Sequence, residues 1–221
     1  MKKAILTLSL FASAVSATFA QIPGVSKVTK ALPKPLVGIK IGGNFNQLST
    51  SASALAQNYK PSFLPGAFVG LRKGSWGIRV EGIINFAKYD YSFQSVSNNS
   101  LTNGTFSNVY LDIPVLLEYK IISRIWAQAG LQFSRTLSVK SVASGNEPAL
   151  ADPKSYFQPN AYSGVVGLEA RLPVHLVLGA RYILGFTDLN AMNTSVSNDY
   201  TNASGAWKAR TAQIYVGFRF I

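Results

Sequence analysis

An alternation of apolar and polar side chains with a period of two residues constrains the fold of this chain more than any other feature. Between Val109 and Tyr119 every second residue is apolar, while the opposite set includes Asp112 and Glu118. Successive side chains of a β-strand point to opposite faces, so this period predicts a strand with two unlike faces. The eight segments with this pattern are 37–45, 67–72, 76–86, 109–120, 125–134, 162–172, 176–187 and 214–220.

The lengths of these segments and of their connections indicate a membrane protein. Most segments have about ten residues, the length with which a tilted strand crosses a bilayer, and eight is the smallest usual number of strands in a transmembrane barrel. Long polar connections (47–62, 94–107, 138–160 and 188–206) alternate strictly with tight ones (73–75, 121–124 and 173–174). Long loops at one end and short turns at the other are typical of outer-membrane barrels. The sequence therefore predicts an all-β fold, an eight-stranded antiparallel up-and-down transmembrane β-barrel.

The chain begins with a segment that resembles an export signal. Lys2 and Lys3 precede an apolar stretch, and small residues lead to a plausible cleavage position after Ala20. This arrangement is typical of a secretory signal peptide. We expect residues 1–20 to be a signal peptide, 21–35 a periplasmic lead-in and 36–221 the barrel. The localisation that follows is the bacterial outer membrane, with both termini in the periplasm.

Charged residues of both signs lie on the polar faces, in the middle of several segments. A charge facing the centre of the lipid would cost about 2–4 kcal/mol, whereas paired charges inside a narrow barrel compensate one another in part. The alternative is a secreted soluble barrel of the lipocalin type, in which the apolar face points inward. We assign the following residues to a lumenal ion-pair network: Arg79, Glu81, Asp112, Glu118, Glu169, Arg171, Arg181 and Arg219.

Aromatic residues collect near the ends of the predicted strands. Amphipathic rings favour the interface between membrane and water, so two girdles are expected. Trp76, Tyr119 and Trp126 are predicted at the end with short turns, and Phe86, Tyr89, Phe133 and Phe186 toward the end with long loops. Trp207, Lys208 and Arg210 lie near a predicted loop, and we formulate the hypothesis that they meet lipopolysaccharide phosphates. The alternating last strand with Phe220 near its end is similar to the signal that barrel-assembly machinery reads.

The sequence offers little support for catalysis. His175 is the only histidine and lies at a predicted turn, and Asp112 and Glu118 are separated by about 20 Å along one strand, too far for a carboxylate pair. The chain has no cysteine and a net charge of +12, with its basic residues scattered singly rather than in a run. We therefore predict no enzyme, no catalytic, cofactor-binding or metal site, and no nucleic-acid partner. Pro114 removes a backbone donor from the middle of a strand and predicts a β-bulge there.

Several stretches resemble a known family. The stretch Tyr110–Lys120 (YLDIPVLLEYK) is similar to the strand "YLxIPxLLxY" of the Bacteroidetes outer-membrane β-barrel domain, often called PorT-like. The stretches 129–131, 179–189 and 216–220 are similar to later strands of that family in a more generic way. The resemblance extends from Leu36 to the C-terminus. It implies an eight-stranded barrel in the outer membrane and says little about activity.

From these observations we interpret the chain as an integral outer-membrane barrel of a non-catalytic structural or binding type. One form of this role is a component of an envelope or secretion complex. The alternative is a passive, porin-like channel for small solutes. The expected partners are outer-membrane lipid and lipopolysaccharide, the barrel-assembly machinery and an envelope protein. Eight-stranded barrels have interiors that side chains just fill, which counts against the channel.

Overall fold

The computed structural model describes residues 32–50, 59–95, 99, 101–143, 153–191 and 205–220. Eight antiparallel strands close into one barrel, in which each strand pairs with its neighbours in sequence and β1 pairs with β8. The predicted up-and-down topology is confirmed. The strands are β1 (Lys34–Thr50), β2 (Lys60–Lys73), β3 (Trp76–Gln94), β4 (Leu101–Lys120), β5 (Ile125–Ala143), β6 (Asn160–Arg171), β7 (Leu176–Gly185) and β8 (Trp207–Arg219).

The chain divides into two compact units, Met1–Pro33 and Lys34–Ile221, and the second contains the barrel. Of the first unit, only Leu32 and Pro33 belong to the described residues. The expected signal peptide and most of the lead-in therefore lie outside the described residues. Among the described residues, no helix has the length and hydrophobicity needed to cross a bilayer.

Short turns join the strands at one end of the barrel, which we call the turn end; the opposite end is the loop end. Gly74, in the turn between β2 and β3, has a φ of +62°. Glycine adopts this left-handed conformation at little steric cost, and it is typical of the tight turns of hairpins. In the turn between β6 and β7, Val174 and His175 also have positive φ values, 57° and 65°. The His175 carbonyl accepts a hydrogen bond from the Arg219 amide (2.9 Å), which anchors this turn to β8.

The strands extend farther toward the loop end than the sequence predicted. Strands β3 and β4 pair up to Gln94 and Leu101, inside the predicted connection 94–107. Strand β5 continues to Ala143, inside the predicted connection 138–160. Serine, asparagine and threonine replace aliphatic residues there, so the contrast between the two faces is weak although the backbone pairing continues. The predicted connections were therefore too long.

Pro114 interrupts the pairing of β4 with β3 without a bulge. The pairs Val80–Val115 and Ile83–Asp112 keep the same register on either side of the gap. A proline lacks the N–H that the ladder requires, so the local pairing with β3 is lost while the register is unchanged. The register shift of β4 lies instead between Val109 and Tyr110, facing β5. The predicted position of the bulge was wrong.

A second gap in the ladder separates β2 from β3 on the loop-end side. Their pairing runs from the turn only as far as Gly66 and Ile83. Residues 60–65 of β2 remain paired with β1 but with no residue of β3. An ion pair between Lys60 and Asp90 (2.7 Å) joins the two strands beyond the gap.

Two prolines explain this gap. Lys73 and Trp76 close the two-residue turn and form a hydrogen-bonded pair, so the odd-numbered residues of β2 direct their backbone N–H groups toward β3. Pro61 and Pro65 occupy two of these odd positions and have no N–H to donate. The even-numbered residues, which face β1, are not affected.

The outer face of the barrel is apolar. Leu131 and Leu117, for example, are 67% and 59% exposed. The aromatic residues Trp76 and Phe86 point outward on β3, and ten residues separate them. At the rise of a strand and a tilt of about 40°, this separation corresponds to about 25 Å along the barrel axis, which matches the apolar band of an outer-membrane barrel.

Candidate functional site

The interior of the barrel is the candidate functional site, and its side chains form three layers between the turn end and the loop end. The charged layer consists of Lys40, Arg79, Glu81, Glu118, Gln128, Glu169, Arg171, Arg181 and Tyr215. The amide layer consists of Asn44, Asn46, Asn85, Asp112, Gln132, Ser134, Thr211 and Gln213. The aromatic plug consists of Leu48, Tyr89, Tyr91, Phe93, Phe106, Tyr110, Tyr156, Phe157, Leu189 and Trp207.

Arg79 lies at the centre of the charged layer and is fully buried. Its two terminal nitrogens donate to both carboxylate oxygens of Glu169, at 2.6 and 2.7 Å. Nη2 also lies 2.6 Å from Oε1 of Glu118, and the guanidinium stacks over the ring of Phe68 with 4.6 Å to its centroid. Bidentate arginine–carboxylate pairs fix geometry as well as energy. Arg79 therefore ties β3 to β4 and β6 across the interior.

A second bidentate pair joins β7 to β3. Nη1 and Nη2 of Arg181 donate to the two carboxylate oxygens of Glu81, each at 2.7 Å. Lys40 of β1 donates to Oε2 of the same carboxylate at 2.6 Å. Nε of Arg181 donates to Oε1 of Gln128 at 2.8 Å, which extends the network to β5.

Arg171 completes the layer near the turn end. It donates to Glu118 at 2.5 Å and to Glu169 at 2.9 Å. Its guanidinium lies 3.8 Å from the centroid of the Trp126 ring, a cation–π geometry. The Tyr215 hydroxyl donates to Glu169 at 2.9 Å. Nearly every charged atom of the layer thus has a partner, and the wall strands themselves supply all of them.

The structure brings six of the eight predicted network residues into ion pairs: Arg79, Glu81, Glu118, Glu169, Arg171 and Arg181. Asp112 instead accepts a hydrogen bond from Asn85 at 3.0 Å, in the amide layer. Arg219 forms no ion pair with any described residue. Lys40 was missing from the predicted set, although it lies on the polar face of the first segment. Gln128 and Tyr215 were also missing, because neutral side chains give no charge signal in the sequence.

Hydrogen bonds between side-chain amides organise the amide layer. Gln213 donates to Asn44 (3.0 Å), and Asn44 donates to Asn85 (2.8 Å). Asn85 then donates to the Asp112 carboxylate, which also bonds with Ser134. This series of hydrogen bonds runs from β8 through β1 and β3 to β4. Each side chain donates to the next, and the series ends at the Asp112 carboxylate.

The aromatic plug fills the interior at the loop end. The rings of Tyr91 and Phe106 are 4.4 Å apart between centroids, and Phe106 meets Phe157 edge-on at 5.1 Å. Phe157 in turn contacts Trp207 at 5.7 Å. A short 3₁₀ helix, Pro153–Tyr156, brings Tyr156 and Phe157 from the connection between β5 and β6 into this cluster.

Three aromatic residues lie inside the barrel, against the sequence prediction. Tyr89 and Trp126, predicted in the girdles, are each only 5% exposed, and Trp207, predicted on the surface with Lys208 and Arg210, is fully buried. Each occupies a position of its strand whose side chain points inward. The alternation along the strand decides the direction of a side chain, whereas nearness to a strand end does not. Trp76, Tyr119, Phe86 and Phe186 point outward, as predicted.

The described part of the interior contains little that resembles a catalytic or metal site. Among the described residues, no group of three or more His, Asp or Glu side chains could hold a metal ion. The ring of His175 packs against Phe218 at the turn end, with 6.0 Å between centroids. A cavity of about 40 Å³, lined by residues such as Asp112, Tyr110 and Ser163, lies between the amide layer and the plug. This volume suits a water molecule rather than a substrate.

An eight-stranded closed barrel with an apolar outer belt and a polar, ion-paired interior is a transmembrane β-barrel of the bacterial outer membrane. The sequence confirms this class, because the profile of the family described as "Outer membrane protein beta-barrel domain" matches residues 19–191. The chain belongs to this family. No curated protein sequence matches it.

Solved structures with a similar arrangement of strands come from several bacteria. Neisserial surface protein A is 13% identical over 83% of this chain and 97% of its own, with a TM-score of 0.47. The attachment invasion locus protein Ail of Yersinia pestis is 15% identical over 85% of this chain and 99% of its own, with a TM-score of 0.44. The outer membrane protein OprG of Pseudomonas aeruginosa is 11% identical over 86% of this chain and 97% of its own, with a TM-score of 0.43.

Proposed function

We propose that this protein is a sealed, non-catalytic outer-membrane barrel that serves a structural or binding role in the cell envelope. The observation that carries the proposal is the filled interior. The charged layer closes the lumen toward the turn end, and the aromatic plug closes it toward the loop end. Because side chains fill the lumen at two levels, the surfaces left for function are the loop end, the turn end and the lipid-facing belt.

The filled interior argues against the passive channel. The side chains of Arg79, Glu81 and Glu169 have no exposed area. Arg79 holds Glu169, and Arg181 holds Glu81, each through a bidentate pair that spans the interior. Breaking such a buried pair is costly, because one charge would remain uncompensated in a site of low polarity. A conducting state would require several of these pairs to open together.

The proposed orientation places the loop end at the cell surface and both termini in the periplasm, as in other barrels with short turns on the periplasmic side. The stretch Tyr110–Lys120 supports an assignment to the PorT-like branch of the family, and with it a role in an envelope complex. The proposed assembly route is the barrel-assembly machinery, for which β8 with Phe220 supplies the terminal signal.

Planar-bilayer recordings of the folded protein test the sealed lumen. We expect no single-channel steps and no solute-driven swelling of proteoliposomes, under conditions in which a general porin gives both. A heat-modifiable band on a gel, from the same sample, establishes that the barrel is folded. Discrete and reproducible conductance steps from the folded protein would overturn the proposal and favour the channel.

A variant pair sharpens this test. Phe106→Ala thins the aromatic plug and leaves the charged layer intact, so we expect it to remain silent. Phe106→Leu preserves most of the apolar volume and serves as the matched control. Conductance that appears in the alanine variant alone would mean that the charged layer does not seal the barrel by itself.

A further inference from the structure

Two lysines and a serine form a row on the outer surface of the barrel near the loop end. Lys88 of β3 is the direct cross-strand neighbour of Ser107 on β4, and Ser107 is the neighbour of Lys140 on β5. The side chains of all three point outward, and both lysines are exposed. Neither lysine forms an ion pair with any residue that the structure describes.

The spacing of this row suits a tetrahedral anion. Direct cross-strand neighbours lie about 5 Å apart, so Lys88 and Lys140 stand about 10 Å apart with the serine hydroxyl between them. Lysine side chains are long enough for two ammonium groups to converge over that serine. Together they would offer two charged donors and one neutral donor to a phosphate group.

The carboxylate of Asp90, on the same strand as Lys88, does not oppose an anion. Asp90 follows Lys88 by two residues on the same face, but Lys60 neutralises it at 2.7 Å and the Thr105 hydroxyl donates to it at 2.9 Å. The row therefore keeps its positive charge.

The depth of the row matches the headgroup region of a bilayer. Lys88 lies two residues beyond Phe86, the outward-facing aromatic residue of β3 at the loop end, and two residues rise about 7 Å along a strand. Aromatic girdles mark the boundary of the hydrocarbon. The ammonium groups thus lie at the level where lipid phosphates begin, with the apolar belt directly below for acyl chains.

From this geometry we infer that Lys88, Ser107 and Lys140 form a binding site for a phosphate group of an outer-leaflet phosphorylated glycolipid. The inference rests on the proposed orientation, which puts the loop end in the outer leaflet, and it names one partner of the proposed binding barrel. The two lysines supply the charge, the serine hydroxyl sets the position of the phosphate, and the belt below holds the acyl chains.

Native mass spectrometry of the folded protein in detergent, titrated with bisphosphorylated lipid A, tests the site. The variant is Lys88→Gln with Lys140→Gln, and the matched control is Lys34→Gln with Lys73→Gln, two exposed lysines at the turn end. We expect Lys88→Gln with Lys140→Gln to weaken binding by about tenfold to thirtyfold, since each lysine near a lipid surface contributes to binding of an anionic headgroup. The control pair should weaken binding by less than about twofold.

Three further ligands separate the possible sources of an anion. Lipid A without its phosphates should bind with the weak affinity of the double variant. Phosphatidylglycerol and inorganic phosphate should both bind the wild type more weakly than lipid A does. Unchanged lipid A affinity in the Lys88/Lys140 variant would overturn the site, and free phosphate binding as tightly as lipid A would overturn the glycolipid. A heat-modifiable band shows that each variant is folded, and bilayer recordings test the sealed lumen independently.

Discussion

The two halves of the barrel share one wall and differ in what fills them. Toward the turn end, Arg79 and its three carboxylate neighbours hold the interior through directed bonds of 2.6–3.4 Å. Toward the loop end, rings such as Phe106 and Phe157 fill the same space by contact alone. The wall differs as well, because β2 and β3 are paired in the turn-end half and unpaired over residues 60–65 in the loop-end half.

This difference shows how the same alternating strands can be stabilised by opposite means. Buried charges stabilise a structure only when every partner is in place, so the charged layer depends on a continuous and correctly registered wall. Contacts between apolar rings depend less on direction. Their contribution to stability falls in proportion to the contact that is removed. The gap in the ladder lies in the half that has the more tolerant filling.

The largest expected effect comes from the charged layer. In Glu169→Gln, Arg79 and Arg171 lose a carboxylate partner while the side-chain shape is kept, and we expect the free energy of unfolding to fall by about 3–5 kcal/mol. Urea unfolding in lipid vesicles, followed by tryptophan fluorescence, measures this change. Arg219→Gln, at the same end without an ion pair among the described residues, should cost less than about 1 kcal/mol. Equal losses in both variants would contradict the view of a cooperative layer.

The aromatic plug should respond to lost volume rather than lost charge. Phe106→Ala removes a fully buried ring and is expected to lower the free energy of unfolding by about 3 kcal/mol. Phe106→Leu, which keeps most of the apolar volume, should cost less than about 1.5 kcal/mol. A leucine variant as unstable as the alanine variant would show that ring stacking, and not filling, stabilises this half.

A smaller change in stability is expected at the gap in the ladder between β2 and β3. Pro65→Val restores a backbone N–H at a position that faces β3, and we expect the ladder to extend toward the loop end. The stabilisation should be about 1 kcal/mol or less, because the new hydrogen bond is offset in part by the added freedom of the unfolded chain. Hydrogen exchange read by mass spectrometry should show slower exchange in residues 84–88. Exchange there that stays as fast as in the wild type would contradict the role of the proline.

The smallest effect is expected at the ion pair that bridges the gap. Lys60 and Asp90 are 37% and 28% exposed, so Asp90→Asn should change stability by about 0.5 kcal/mol or less, and added salt should remove the difference. The same salt series should leave the loss in Glu169→Gln nearly unchanged, because buried pairs are screened far less. A salt-dependent loss in the buried variant would mean that water reaches the charged layer.

The sequence predicted most of the wall and part of the interior. Period two identified all eight strands, and the tight turns fixed their order. It also placed Arg79, Glu81 and Glu169 on inward faces, because charge and parity are both visible in one strand. It misplaced Tyr89 and Trp126, since an aromatic residue near a strand end can belong either to an outer girdle or to the barrel interior. Only the side of the barrel wall that the residue faces decides between the two.

By itself the sequence determined the class of the protein: the number of strands, their alternation, the apolar belt and the sign of the charges inside. These are local properties, set by side-chain direction along each strand. The tertiary structure decided which residues meet, such as Arg181 with Glu81 and Lys88 with Ser107 and Lys140. Closure of the ring and the register between strands set those contacts, and they depend on the whole barrel rather than on any one segment of the chain.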